Sequence, residues 1–100
     1  MLKYINEDEF EDSIKKEGVV LVDFFATWCG PCQILGEVLE NMANNYEIVK
    51  IDVDKAQDLA MKFEIEAVPT MLIYKDGVQV DRLQGFYPEK KLKEKLDERL

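Results

Sequence analysis

The spacing of apolar residues changes several times along this chain, and each change predicts a different element. Residues 2–5 make a short strand. Asn6 with Glu9 three positions on is a capping-box signature, opening a helix that turns Phe10 and Ile14 inward, with Gly18 placed to end it. Residues 19–26 read Val-Val-Leu-Val-Asp-Phe-Phe-Ala, an apolar run without alternation, as expected of a mid-sheet strand covered on both faces. Beyond it, Ile34, Leu35, Val38, Leu39, Met42, Ala43 and Tyr46 recur at three- and four-residue spacing, the period of an amphipathic helix. Residues 48–53 are a third strand, and strand, helix, strand in that order implies a parallel pair joined by a right-handed crossover. A shorter helix is predicted over 54–63. Residues 71–74 and 78–83 flank Lys75-Asp76-Gly77, where Asp-Gly signals a hairpin. Pro88 opens a last helix, whose Leu92, Leu96 and Leu100 form a narrow apolar stripe among Lys, Glu and Arg. The sum is an α/β arrangement, a mixed sheet with helices on both sides.

At 100 residues the chain has the size of one domain, 1–100, burying roughly 60 to 70% of the surface its unfolded form exposes. No repeat interrupts it, so every element is expected to serve one core. The net charge of -8 repels phosphate backbones and anionic lipid heads, which argues against nucleic acid or a membrane as partner. Met1 is followed by Leu2-Lys3-Tyr4-Ile5 with no basic start or apolar run, so no export signal is read and a cytoplasmic location is expected. A monomer is the default for a small soluble domain.

Two cysteines and no histidine restrict the chemistry further. A structural zinc site needs four Cys or His ligands, so no metal is expected. Without histidine, Ser-His and Cys-His nucleophile pairs are unavailable, and thiol chemistry itself remains. Trp28-Cys29-Gly30-Pro31-Cys32 falls between the buried strand and the strongest predicted helix, where unpaired N–H groups and the helix dipole favour a thiolate. Cys29 is the candidate nucleophile, since the thiolate is the attacking species. Cys32, inside the first turn, is close enough to attack a mixed disulfide and resolve it. Gly30 lets the loop turn, and Pro31 brings a φ suited to a first helical turn. C-x-x-C beside a βαβ pattern is itself a thioredoxin-like redox signature.

Asp23-Phe24-Phe25-Ala26, Trp28 to Cys32, Val68-Pro69-Thr70 and Gly85, in that order, resemble the thioredoxin family across essentially the whole chain. The resemblance implies a five-stranded sheet of order 1-3-2-4-5 with four helices. It also implies a protein disulfide reductase without a separate cofactor, its Cys29-Cys32 disulfide re-reduced by a thioredoxin reductase as part of cellular electron transport and redox homeostasis. An Asp within an apolar strand has its pKa raised by desolvation, unless it faces solvent at the strand end. By resemblance, Asp23 serves the resolving thiol as proton acceptor, and Lys50 approaches Asp23 instead of standing as a solvated charge. A trans bond is the steric default before Pro69, whereas the resemblance implies a cis Val68-Pro69 bond that brings the Val68 backbone beside the cysteines to pair with an extended substrate. Trp28 and Gly85 either line that groove or serve local packing.

Three positions depart from the family pattern. Gln33 and Glu66 stand where basic residues are usual, and Glu37 replaces a helix proline. A more acidic rim is expected, one that raises the Cys29 pKa somewhat and favours neutral or basic partners. Any kink in the helix would then fall to Gly36. A disulfide isomerase or oxidant, a glutaredoxin-like protein, and a binding module indifferent to its thiols are the competing readings; Gly30-Pro31 and the expected location weigh against the first.

Overall fold

The computed structural model describes residues 1–100. Strand β1 (Leu2–Tyr4) leads through a 3-10 turn (Glu7–Glu9) into helix α1 (Phe10–Ile14). Strand β2 (Val19–Phe25), helix α2 (Gly30–Met42) and strand β3 (Glu47–Asp52) follow. A second 3-10 turn (Val53–Lys55) and helix α3 (Gln57–Lys62) precede strands β4 (Thr70–Lys75) and β5 (Val78–Gln84) and helix α4 (Glu89–Asp97). The sheet order is β1-β3-β2-β4-β5, with β2 at its centre, as the resemblance implied. The β1/β3 and β2/β3 pairs are parallel, and β2/β4 and β4/β5 are antiparallel. Asp76 and Gly77 both take positive φ, 51° and 82°, as a two-residue hairpin turn compatible with strand twist requires.

The strand side chains alternate between two cores where one was expected. Val20, Val22 and Phe24 of β2 join Val49, Ile51, Leu72 and Tyr74 on one face, packed against Phe10 and Ile14 of α1 and Leu59 of α3. Leu21, Ile48, Met71 and Ile73 point the other way, onto Leu35, Leu39 and Met42 of α2 and Leu92 and Leu96 of α4. A strand buried on both faces must be apolar at every position, which is why β2 reads as a continuous run. Asp23 and Lys50, opposite each other in the β2/β3 register, interrupt that pattern.

Several boundaries differ from those read in sequence. Glu9 does accept the Asn6 N–H through Oε1 at 2.9 Å, but α1 stops at Ile14 because Lys15 leaves helical geometry (φ -81°, ψ 46°). Gly18, at φ 86°, instead donates its N–H to Asp76 of the distant hairpin at 2.7 Å. The segment 54–63 divides at Ala56, whose backbone (φ -138°, ψ 52°) separates the 3-10 turn from α3 while its side chain is buried. Leu100 lies beyond the end of α4 and is exposed, and Ile34 of α2 is also exposed. The buried stripe of α2 runs through Cys32, Leu35, Leu39 and Met42. No helix is long and apolar enough to cross a membrane.

Candidate functional site

Strand β2 leaves the sheet core at Phe25, and the chain turns through Ala26-Thr27-Trp28 into α2. Cys29 caps that helix in extended geometry (φ -97°, ψ 113°), and its Sγ accepts the Cys32 N–H at 3.2 Å. One of the unpaired N–H groups of the helix start is thus aimed at sulfur. Pro31, in the first turn, has no N–H to leave unpaired. Cys29 and Cys32 are joined as a disulfide across three residues, Cα to Cα 5.2 Å. Both are largely buried in a small cluster with Ala26, flanked by Phe25, Val53 and Val68.

The Val68-Pro69 bond is cis. The Val68 carbonyl oxygen lies 3.6 Å from Cys29 Sγ; a disulfide sulfur has no proton to give it, whereas a thiol there does. Gly85 follows β5 at φ 88° and donates its N–H to the Pro69 carbonyl at 2.8 Å, tying the two loops together. Space beside Gly85 is open where a Cβ would stand. Trp28 is 71% exposed, and its Nε1 donates to Asp54 Oδ2 at 2.9 Å. A groove of about 600 Å³ runs over Cys29 between Trp28, Gly30 and Pro31 on one side and Ile65, Glu66 and Val68 on the other. Cys29, Trp28, Gly30, Pro31 and Val68 therefore line one groove, whereas Cys32, Pro69 and Gly85 do not line it, Pro69 following Val68 in the chain and Gly85 being bonded to Pro69.

Asp23 has no exposed surface, and neither carboxylate oxygen has a hydrogen-bond partner. Burial pushes its pKa up to about 7, against the opposing pull of the Lys50 ammonium 3.8 Å from Oδ2. Of the two readings open for this residue, solvent-facing or desolvated, the second holds. Lys50 is likewise buried instead of solvated. It lines a second cleft, of about 380 Å³, with Cys32, Phe25, Gly36 and Glu37. That cleft reaches Cys32, whereas the groove reaches Cys29.

The three departures from the family pattern divide between these openings. Glu66 sits in the Cys29 groove, whereas Gln33 and Glu37 line the Lys50 cleft, and Gln33 Nε2 donates to the Thr27 carbonyl at 3.2 Å. Helix α2 runs unbroken over Gly36, where a Cβ would stand 3.3 Å from Lys50 Nζ. Close approach to Lys50 accounts for this glycine. Sequence reasoning missed Tyr4, whose ring faces Lys50, and Asp54, the partner of Trp28. Both partnerships join residues far apart in the chain, so no local pattern reports them.

The family model described as Thioredoxin matches residues 1–98. A thioredoxin of Staphylococcus haemolyticus is 44% identical, covering 96% of this chain and 95% of that protein. One from Staphylococcus aureus is 47% identical, covering 89% of each. Among solved structures, a mutant thioredoxin from Halobacterium salinarum superposes with a TM-score of 0.92 at 38% identity, over 98% of this chain and 89% of that one. The thioredoxin of Fasciola hepatica gives 0.88 at 35% identity over the full length of both. Likeness of this extent, in sequence and in structure alike, means that the protein belongs to the thioredoxin family and shares its activity, the reduction of disulfides by dithiol-disulfide exchange.

Proposed function

We propose that Cys29 is the attacking thiolate and Cys32 the resolving thiol in the reduction of disulfides in other proteins. The observation that carries this reading is the position of Cys29 as N-cap of α2, its sulfur accepting the Cys32 N–H at the floor of an open groove. In the reduced protein, the Cys29 thiolate attacks one sulfur of the substrate disulfide, forming a mixed disulfide and releasing the other sulfur as a thiolate. Asp23, ionised at neutral pH in part of the population, takes the proton of the Cys32 thiol. The Cys32 thiolate then attacks Cys29 Sγ, closing the Cys29-Cys32 disulfide and expelling the second substrate thiolate. Two electrons have passed to the substrate, and a thioredoxin reductase returns them to the disulfide.

Trp28, Gly30, Pro31, Val68, Pro69 and Gly85 bind the substrate. Val68 presents backbone groups to an extended chain, which accepts many sequences because main-chain pairing reads none. Lys50 keeps the Asp23 carboxylate ionisable at its buried position. The chain acts as a single domain and a monomer, in the cytoplasm, with protein disulfides as substrates and no cofactor beyond its own cysteines. The acidic rim selects among them, and Glu66 is the residue placed to do so on the Cys29 side. Glu66→Lys raises the rate of reduction of an acidic disulfide substrate roughly threefold at low salt, the size of one wet charge interaction. Gln33→Lys, on the other cleft, raises it less. Initial rates with an acidic and a basic disulfide peptide test this; equal rates for both variants on both peptides contradict it.

A further inference from the structure

Tyr4 stands on β1 directly opposite Lys50 of β3. Its ring centroid lies 5.1 Å from Lys50 Nζ, and the Phe25 ring lies 4.7 Å from the same atom. The two rings meet edge to face, centroids 5.7 Å apart. One buried ammonium therefore rests between two aromatic rings, with an Asp23 oxygen 3.8 Å away. That distance is too long for a hydrogen bond, and Asp23 accepts none from any group. Something other than hydrogen bonding must keep a flexible four-carbon side chain aimed at this carboxylate. The mouth of the cleft offers Lys50 a competing destination, water and the carboxylates of Glu37 and Glu40.

We propose that Tyr4 is a positioning residue for the resolving step, its ring face, with that of Phe25, holding the Lys50 ammonium toward Asp23 and away from Glu37 and Glu40. This rests on the reading of Asp23 as the proton acceptor for Cys32. Aromatic faces attract a cation through the ring quadrupole, most strongly where water is scarce. Every other side of the pair is accounted for. Strand β4 contributes apolar Met71 opposite Asp23, and β3 carries Asp52 two residues beyond Lys50. From α2 come Cys32, Gly36, Glu37 and Glu40, and Gly36, having no Cβ, leaves room for Nζ, which a Cβ there would approach to 3.3 Å. Tyr4 is thus the one wall of the ammonium site on the edge of the sheet, and it is 60% exposed, so its replacement leaves the core intact.

If Lys50 swings outward, Asp23 loses its nearest positive charge and holds its proton to higher pH. Tyr4→Leu keeps apolar bulk without the negative ring face, and Tyr4→Phe keeps the face without the hydroxyl. Stopped-flow reaction of the reduced protein with dithiobisnitrobenzoate separates attack, which depends on reagent concentration, from resolution, which does not. In Tyr4→Leu the pH midpoint of the second phase moves up by about half a unit, a roughly threefold slowing on the acid side. Tyr4→Phe keeps the wild-type profile, and Lys50→Met moves the midpoint at least as far as Tyr4→Leu. An unchanged midpoint in Tyr4→Leu, with Lys50→Met shifted, overturns the role of Tyr4 and leaves that of Asp23 standing. A downward shift overturns it too, since Tyr4 then acts by excluding water. If neither Asp23→Asn nor Lys50→Met alters the second phase, the reading of Asp23 fails and the role of Tyr4 falls with it.

Discussion

Cys29→Ser abolishes turnover of a protein disulfide such as that of insulin, with dithiothreitol as the electron source, leaving only the uncatalysed exchange between reagent and substrate. The loss is on the order of a hundredfold or more, because a serine hydroxyl does not ionise near neutral pH and cannot form a mixed disulfide. No other group can replace it. The chain has no third cysteine, and Cys32 is more deeply buried, inside the first turn of α2. Initial rates for the wild type and the variant, both reduced and folded, are the measurement. A variant that still turns over at a wild-type rate would remove Cys29 from the chemistry.

Asp23→Asn changes the pH dependence of stability by several kcal/mol. In the folded protein burial raises the Asp23 pKa from 3.8 to about 7. Below about pH 4 the carboxyl is protonated in folded and unfolded chains alike and has no linkage effect. Between about pH 4 and 7 the unfolded chain releases this proton while the folded one keeps it, so stability falls as pH rises, and above about 7 the loss is complete. A displacement of this size corresponds to about 4 kcal/mol. Asparagine has the same shape and no proton to hold, so the variant lacks this descent. Denaturant unfolding at pH 4 and pH 8 checks it: the stability of the wild type minus that of Asp23→Asn falls by several kcal/mol across the interval. Other carboxylates, such as Glu9 and Glu47 with lowered pKa values, cancel in that difference. A difference that stays flat with pH means that Asp23 titrates as an ordinary carboxylate. The same buried carboxyl then has two consequences, an acceptor for the Cys32 proton at neutral pH and a standing cost to the fold.

Whatever depended on burial repeating along the chain was legible in the sequence. Strand β2 reads as continuous apolar residues because two cores press on it, and Asp23 stands out there as the one charge. The C-x-x-C pair at the start of a periodic helix was equally plain. Boundaries fixed by distant contacts were not. Alanine favours helix, yet Ala56 breaks one because its buried side chain and the Asp52 side chain accepting the Asp54 N–H hold the segment in a 3-10 turn. Gly18 was read as a helix stop, and its partner is Asp76 on the far hairpin. Lys50 carries no local mark of burial, because its neutralising and enclosing groups come from β1, β2 and α2. The cis bond before Pro69 and the approach of Val68 to Cys29 came from resemblance alone, since sterics favour trans.

The division of labour between the two cysteines is tested most directly by trapping. The reduced Cys32→Ser variant, mixed with a protein disulfide substrate, accumulates a covalent complex whose peptide map joins Cys29 to a substrate cysteine, while Cys29→Ser accumulates none. Complexes that form through Cys32 in Cys29→Ser, or a Cys32→Ser variant that releases substrate as fast as the wild type, would contradict the account.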